Sequence, residues 1–356
     1  MSRSDYEVRI LSLNESRFED SGLWRQHSVA ITDLDPLWHR RLFFVRMIKL
    51  FLVSREFDVV LFHLDMRLAA LCGLIRGFLP SKPTLIFQGF FCDISRSSVA
   101  SASLTGILRN KVSRVLNRIV VHTMNVLVVH TSAEVDLYST FFRVPKSRFA
   151  FVPYFHYGND PDAISATSLS AESSNVLAIG RHRDFNCFIR AVTGSGWQSV
   201  IVAGDSDRKE LDAQLPSNIA VHYEVSREEY RDHISRSTVV VLPFHTVRWQ
   251  RALGHIAMFE AMLRQKPIVA AQTFQVTDYA STDEILYYRP GDAEDLRRQL
   301  DRLMTDPYLR KRLTQNARTR LLGEFTREKY IAKLIDVCLK SRSSASLKGM
   351  KQTFAS

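Results

Sequence analysis

Short runs of apolar and β-branched residues alternate along the chain with longer segments in which apolar residues recur at helical spacing. This alternation is typical of parallel sheets covered by helices. The first half contains five predicted strands, at 8–13, 58–63, 84–88, 126–130 and 149–153. The second half contains six, at 176–179, 199–203, 220–223, 239–243, 268–271 and 285–288. Helix starts are predicted at Ser226, Asp292 and Asp306.

The two series of strands predict two domains, because 356 residues exceed what one hydrophobic core usually supports. A polar stretch at 156–174 is the predicted linker between an N-terminal domain (1–155) and a C-terminal domain (175–325). An amphipathic helix at 326–342 is expected to pack back towards the N-terminal domain, and 343–356 is expected to be a disordered tail. The predicted fold class is therefore α/β, with two doubly wound, Rossmann-like domains facing a cleft, where such sheets bind ligands.

Composition excludes some classes of protein. Hydrophobic residues make up 46% and charged residues 24%, as in ordinary folded domains. No apolar run reaches the roughly eighteen residues of a membrane span, and no secretory signal is evident, so we expect a cytoplasmic protein. Four scattered cysteines predict buried free thiols rather than disulfides or a zinc site: Cys72, Cys92, Cys187 and Cys338.

The formal net charge of +11 is compatible with nucleic acid, anionic lipid or phosphorylated substrates. No nucleic-acid-binding motif accompanies it, so no nucleic-acid partner is expected. Residues 94–133 contain no acidic side chain, and Lys111, Arg114 and Arg118 border an apolar helical face. This pattern predicts a helix lying on an anionic membrane, with a core-packing helix as the alternative. The basic residues of 36–55 are spread around the helix, so that segment is a poorer candidate.

Two groups of residues in the second half are candidates for binding a nucleotide. Gly254 lies at a strand-to-helix turn, where backbone N–H groups can approach a phosphate, and Glu260 on the following helix can accept both hydroxyls of a ribose. After the strand at 176–179, Gly180 introduces Arg181 and Arg183, whose guanidinium groups can neutralise a diphosphate. Arg248 is a weaker candidate for the same cluster. The alternative is that these residues form ordinary turns and a solvated surface.

Candidates in the first half follow predicted strands. Asp93 is the first choice for a catalytic or acceptor-orienting carboxylate, with a helix cap as the alternative role. His63 ends its strand and is a candidate for contact with a substrate, against a purely structural role. Asp205 and Asp207 superficially resemble a metal-binding pair, but they occupy an ordinary turn after a strand. We therefore expect no metal site.

A family resemblance begins at residues 260–271, EAMLRQKPIVAA, which resemble the EAMxxGKPVVA block of the retaining group-one (family four) GT-B glycosyltransferases. The preceding residues 243–254, PFHTVRWQRALG, resemble the family's donor loop. The resemblance covers most of 175–340 and is thinner in the N-terminal half. It implies a GT-B fold and metal-independent transfer of a hexosyl group from a nucleotide diphosphate sugar, with no other cofactor. The implied acceptor is a glycan, expected to be lipid-linked, in exopolysaccharide or cell-surface glycan assembly at the inner face of the plasma membrane.

The resemblance also assigns roles to single positions. Glu260 matches the glutamate that holds the donor ribose, and Gly254 with His255 matches the phosphate-facing turn. Ala252, eight positions before Glu260, stands where the family has the first glutamate of the pair, which contacts the donor sugar. Asn186 stands where a lysine is usual, which makes Arg183 the candidate replacement for that cation.

Other functions remain open from the sequence. A nucleotide-sugar epimerase can be built on the same two-domain plan. A catalytically silent partner could bind a sugar nucleotide and support another transferase, and Ala252 favours this alternative. Within the transferase hypothesis, retention follows from the resemblance alone, and inversion with Asp93 as general base is the alternative.

Overall fold

The structure is a computed structural model that describes residues 8–13, 21–33, 43–53, 56–63, 65–76, 83–92, 104–156, 175–211, 215–245 and 255–353. It divides into two compact units. The N-terminal unit comprises 1–153 with 328–356, and the C-terminal unit comprises 154–327. Most of the predicted linker, 157–174, lies outside the described residues.

The N-terminal unit is built on a six-stranded parallel sheet with the order β2-β1-β3-β4-β5-β6. Its strands are β1 (Val8–Leu13), β2 (Val29–Asp33), β3 (Val59–His63), β4 (Thr84–Gln88), β5 (Val126–Val129) and β6 (Phe149–Phe151). Its helices are α1 (Leu23–Gln26), α2 (Phe43–Val53), α3 (Met66–Ile75), α4 (Leu104–Thr123), α5 (Ser132–Phe142) and the C-terminal α13 (Arg327–Thr353). Helix α3 packs against both α2 and α4.

The C-terminal unit contains a second six-stranded parallel sheet, with the order β12-β11-β10-β7-β8-β9. Its strands are β7 (Asn175–Ile179), β8 (Gln198–Ala203), β9 (Ile219–Tyr223), β10 (Val239–Leu242), β11 (Ile268–Ala271) and β12 (Leu286–Tyr288). Its helices are α6 (Phe185–Val192), α7 (Arg208–Leu211), α8 (Arg227–Arg236), α9 (His255–Leu263), α10 (Phe274–Thr277), α11 (Ala293–Thr305) and α12 (Pro307–Glu324). The strand order reverses between β7 and β10, and such a switch point is where open α/β sheets bind ligands.

The predicted α/β class is confirmed, and its physical basis is visible in the strands. Every residue of β10 (VVVL) and β11 (IVAA) is buried, as expected for parallel strands covered on both faces. The predicted helix start at Ser226 is also confirmed, because its hydroxyl accepts from Glu229 N and the Glu229 carboxylate accepts from Ser226 N. The four cysteines are buried and free, as predicted.

Two features differ from the sequence-based prediction. Strand β2 was not predicted, because it is an edge strand of five residues in which Thr32 is exposed and the apolar signal is weak. The last helix continues to Thr353, beyond 343, where a disordered tail was expected. Alanine, leucine, methionine and lysine in this segment favour helix and explain the correction.

Among the described helices, none is long and apolar enough to cross a bilayer.

Candidate functional site

The loop that follows β7 folds closely around one arginine. Gly180 adopts φ +131°, a backbone conformation that favours glycine, and its N–H donates to Val202 O at 3.0 Å. A Cβ atom at Gly180 would lie 2.6 Å from Arg183 Nε. Glycine at this position therefore allows the backbone and the Arg183 side chain to approach each other.

Arg183 is a buried cation. Only 4% of the residue is exposed, and its guanidinium lies 4.3 Å from the centre of the Phe244 ring, just beyond β10. Burial lowers the pKa of Arg183 to about 10, against the opposing effects of Tyr230 and Asp207, so the group stays charged at neutral pH. Its Nε finds no hydrogen-bond partner in the described part of the chain. A bound anion would offset the cost of this buried charge.

Arg181 lies in a different environment. Its side chain is mostly exposed and forms an ion pair with Glu224, which also accepts from Asp205 N at 2.9 Å. A Cβ at Gly204 would lie 2.7 Å from Arg181 Cγ, so the aliphatic part of Arg181 crosses the loop after β8. The two arginines predicted for one role thus differ in burial and in partners.

Asp205 and Asp207 stabilise turns. The buried Asp207 carboxylate accepts from His182 N at 3.0 Å and from Gly204 N at 3.2 Å, which joins the loops after β7 and β8. Asp205 pairs with Arg208 at 2.9 Å. Within the described ranges, no three His, Cys, Asp or Glu side chains are grouped so that they could hold a metal ion.

Glu260 projects from α9 and is held by two arginines. One carboxylate oxygen accepts from Arg231 Nε at 3.1 Å, the other pairs with Arg264 Nη1, and the side chain is 13% exposed. Each carboxylate oxygen has two lone pairs, so Glu260 can accept further hydrogen bonds while it is paired. The arginines therefore fix the orientation of the carboxylate without exhausting its capacity.

Tyr230 on α8 is influenced by both charges, and sequence reasoning did not select it. Burial raises the pKa of Tyr230, while the charge of Arg183 lowers it and the charge of Glu260 raises it. The only sequence signal for Tyr230 is its position in the first turns of a capped helix that precedes β10. The charges of Arg183 and Glu260 thus both act on Tyr230.

His255 has a structural side chain. It is buried at the start of α9, its Nε2 lies 2.8 Å from Gln275 O, and its ring centre lies 4.0 Å from that of Tyr279. Of the groups of His255 that were predicted to face a phosphate, only the backbone N–H at the start of α9 therefore remains a candidate. Gly254, Arg248 and Ala252 lie outside the described residues.

In the N-terminal unit, His63 is the last residue of β3 and is half-buried. Asp93, the candidate carboxylate, lies outside the described residues. The side chains of His63 and of His130, a residue that sequence reasoning passed over, both lie close to Gly89. The only sequence signal for His130 is that it is the last residue of a predicted strand, 126–130.

The C-terminal unit resembles a known protein family in sequence. Residues 189–320 match the family model described as "Glycosyl transferases group 1". The predicted resemblance is confirmed. The matched segment runs from α6 into α12 and so includes Tyr230, His255 and Glu260 of the group 1 region. No curated protein sequence matches the chain.

Solved structures establish the fold of the whole chain. HepE from Anabaena, crystallised with UDP-glucose, is 16% identical, with a TM-score of 0.61 over 95% of this chain and 99% of that one. Sucrose-phosphate synthase from Thermosynechococcus elongatus is 17% identical, with a TM-score of 0.59 over 92% and 81%. An α,α-trehalose-phosphate synthase (UDP-forming) from Burkholderia xenovorans is 14% identical, with a TM-score of 0.58 over 85% and 78%. The chain therefore has the two-domain, Rossmann-like GT-B fold.

Proposed function

We propose that this chain is a glycosyltransferase that moves a hexosyl group from a nucleotide diphosphate sugar to a glycan acceptor, without a metal ion. The family match supports glycosyl transfer. The observation that carries the proposal within the site is the buried guanidinium of Arg183, which has an unmet donor at the switch point of the C-terminal sheet. A diphosphate is the anion that this arrangement suits.

In the proposed reaction, the enzyme has to stabilise the negative charge of the leaving group. Breaking a sugar–phosphate bond leaves negative charge on the departing diphosphate, and preorganised cations and backbone donors stabilise that charge as it develops. Arg183 supplies a cation whose position is fixed before the donor binds. In this proposal Arg181, Arg248 and the Gly254–His255 turn contact the same diphosphate.

The ribose completes the donor site in this proposal. Glu260 accepts hydrogen bonds from its hydroxyls, in the orientation that Arg231 and Arg264 impose. The structural relative HepE was crystallised with UDP-glucose, which makes UDP-sugars the first donors to test.

We infer that the acceptor is lipid-linked and that the N-terminal unit attaches to the inner face of the plasma membrane, in polysaccharide or cell-surface glycan assembly. Helices α2, α3 and α4 expose large apolar side chains: Val45, Ile48, Leu52, Leu74, Ile107, Leu108, Val112 and Val115. On α4 they lie among exposed Lys111, Arg114 and Arg118. This combination of apolar and basic side chains favours an anionic bilayer surface.

A thermal-shift screen of UDP-, GDP-, ADP- and dTDP-sugars tests the donor assignment. A ligand that binds only the folded state raises its apparent stability, and at a concentration of 100 Kd the gain is about 2.7 kcal/mol. We expect one nucleotide series to raise the melting temperature and the same donor to release nucleoside diphosphate when membrane extract is added. No shift with any donor would contradict the proposal.

Two other outcomes would indicate the alternative functions. Conversion of the donor without acceptor would indicate an epimerase, and binding without turnover would indicate a silent partner.

A further inference from the structure

Two histidines of the C-terminal unit are in contact at the edge of its sheet. Strand β9 is an edge strand, and its His222 is paired with Val202 of β8. His233 lies on α8, the helix that follows β9. The centres of the two imidazole rings are 4.7 Å apart, and the ring planes are inclined by 46°. The rings lie side by side at the surface, where His222 is exposed and His233 is half-buried.

Neither of these imidazoles is used by the fold for hydrogen bonding. Among the residues that the structure describes, no hydrogen-bond partner contacts the ring of His222 or His233. His255 of the same unit differs, because its Nε2 lies 2.8 Å from Gln275 O. The ring nitrogens of His222 and His233 are therefore available to a ligand.

The charges around the two rings favour a cation. Burial lowers the pKa of His233, and His222 lowers it further. Arg236 acts in the same direction, whereas Asp232 and Glu229 oppose it. A neutral imidazole keeps a nitrogen lone pair, which is what a metal ion binds. Two carboxylates and one guanidinium also give the surroundings of the pair one net negative charge.

The separation of the rings fits a shared metal ion. Zinc lies about 2.0–2.1 Å from each imidazole nitrogen that it binds, in tetrahedral geometry, and copper prefers a square arrangement. With an angle of about 90–110° between the two bonds, the ring centres are roughly 4.5–5.2 Å apart. The observed 4.7 Å lies within this interval.

We propose that His222 and His233 bind one divalent transition-metal ion of the class that imidazole prefers, such as zinc or copper, and that the ion joins β9 to α8. In the described part of the chain no third His, Cys, Asp or Glu completes the group, so water fills the other coordination positions. Helix α8 also carries Arg231, which orients Glu260. The ion joins two elements and takes no part in the proposed sugar transfer, which stays independent of metal.

Nuclear magnetic resonance of the histidine ring nitrogens tests the site on the full chain, freed of any purification tag and of metal. Zinc is the probe, and magnesium, which prefers oxygen ligands, is the control ion. We expect the signals of His222 and His233 to shift together with zinc, to saturate at one ion per chain and to ignore magnesium. If neither signal moves in a large excess of zinc, the proposal is overturned.

Substitutions separate the two ligands from other zinc-binding groups. Loss of an outer-shell partner already weakens metal binding 10–100-fold, so loss of a ligand should raise the zinc Kd at least about tenfold. We expect this from calorimetric titration of His222→Gln and of His233→Gln. His27→Gln is the matched control, because His27 is an exposed histidine of the other unit. An equal zinc Kd in the wild type and in both variants of the pair would refute the site.

Thermal unfolding distinguishes metal binding from simple packing of the two rings. A ligand that binds the folded state raises its apparent stability. Zinc should therefore raise the melting temperature of the wild type and of His27→Gln, and have little effect on His222→Gln. If His222→Gln melts below the wild type without zinc, and zinc changes neither protein, the rings only pack together and the proposal is wrong. None of these measurements requires the proposed transferase activity.

Discussion

The positions of Gly180 and Arg183 depend on each other, because the Arg183 side chain occupies the space that a side chain at residue 180 would need. In Gly180→Ala the new Cβ would meet Arg183 Nε at 2.6 Å, and φ +131° is a conformation that alanine rarely adopts. We expect a loss of about 1–3 kcal/mol in the free energy of unfolding. We also expect weaker nucleotide binding, since the guanidinium must move. Chemical denaturation and calorimetry measure the two effects.

Gly194→Ala is the matched control for this prediction. Gly194 also has positive φ, at +69°, but nothing lies within 4 Å of its Cβ position. It should lower stability through backbone strain and leave nucleotide affinity at the wild-type value. If both variants weaken nucleotide binding equally, then the contact with Arg183 is not what matters.

At the residue scale, sequence reasoning selected the loop after β7 as a candidate but could not assign the environments of the residues within it. Arg181 and Arg183 are both arginines that follow the same strand, and only the packing of Phe244, from another strand end, determines which one is buried. His255 became a candidate through its place in a motif, whereas tertiary contacts with Gln275 and Tyr279 bury its ring. His130 was missed because its proximity to Gly89 depends on the pairing of β4 with β5.

At the element scale, α4 provides a prediction about the membrane. Leu108 and Val115 are 64% and 56% exposed, so replacing both by glutamate changes the surface and not the core. The two charges should weaken binding to vesicles rich in anionic lipid at least tenfold at low salt, because they repel the surface and are costly to bury in it. Vesicle sedimentation measures the effect.

Tyr308→Glu is the control for α4, since Tyr308 is an exposed aromatic on α12 of the other unit. It should bind vesicles like the wild type. If the wild-type protein does not sediment with anionic vesicles at low salt, the proposed membrane attachment is wrong.

Secondary structure was predictable where the signal is local. Buried parallel strands are continuous apolar runs, and the eleven predicted runs correspond to strands of the two sheets. The exposed apolar side chains of α2, Val45, Ile48 and Leu52, were not predicted as a face, because the basic residues of that segment surround the helix. Exposure depends on how α2 packs against α3, and the sequence pattern does not contain that information.

At the scale of the whole molecule, the fold could be predicted from the alternation of strands and helices, whereas the positions of the candidate donor residues depend on strand order. Arg183 and Glu260 are distant in sequence. The charges of both act on Tyr230 of α8, the helix that precedes β10, and β10 is the neighbour of β7 in the sheet. Strand order cannot be read from hydrophobic runs alone. The family resemblance supplied Glu260 as a candidate, and the structure shows the two arginines, Arg231 and Arg264, that orient its carboxylate.

The central claim is that Arg183 holds the diphosphate and Glu260 the ribose of the donor. Calorimetric titration with UDP and with uridine tests it most directly, in the wild type, Arg183→Lys and Glu260→Gln. Because lysine lacks the planar fork of donors, Arg183→Lys should weaken UDP at least about tenfold and leave uridine unchanged. Glu260→Gln should weaken both ligands by a similar factor. Wild-type UDP affinity in both variants would contradict the account.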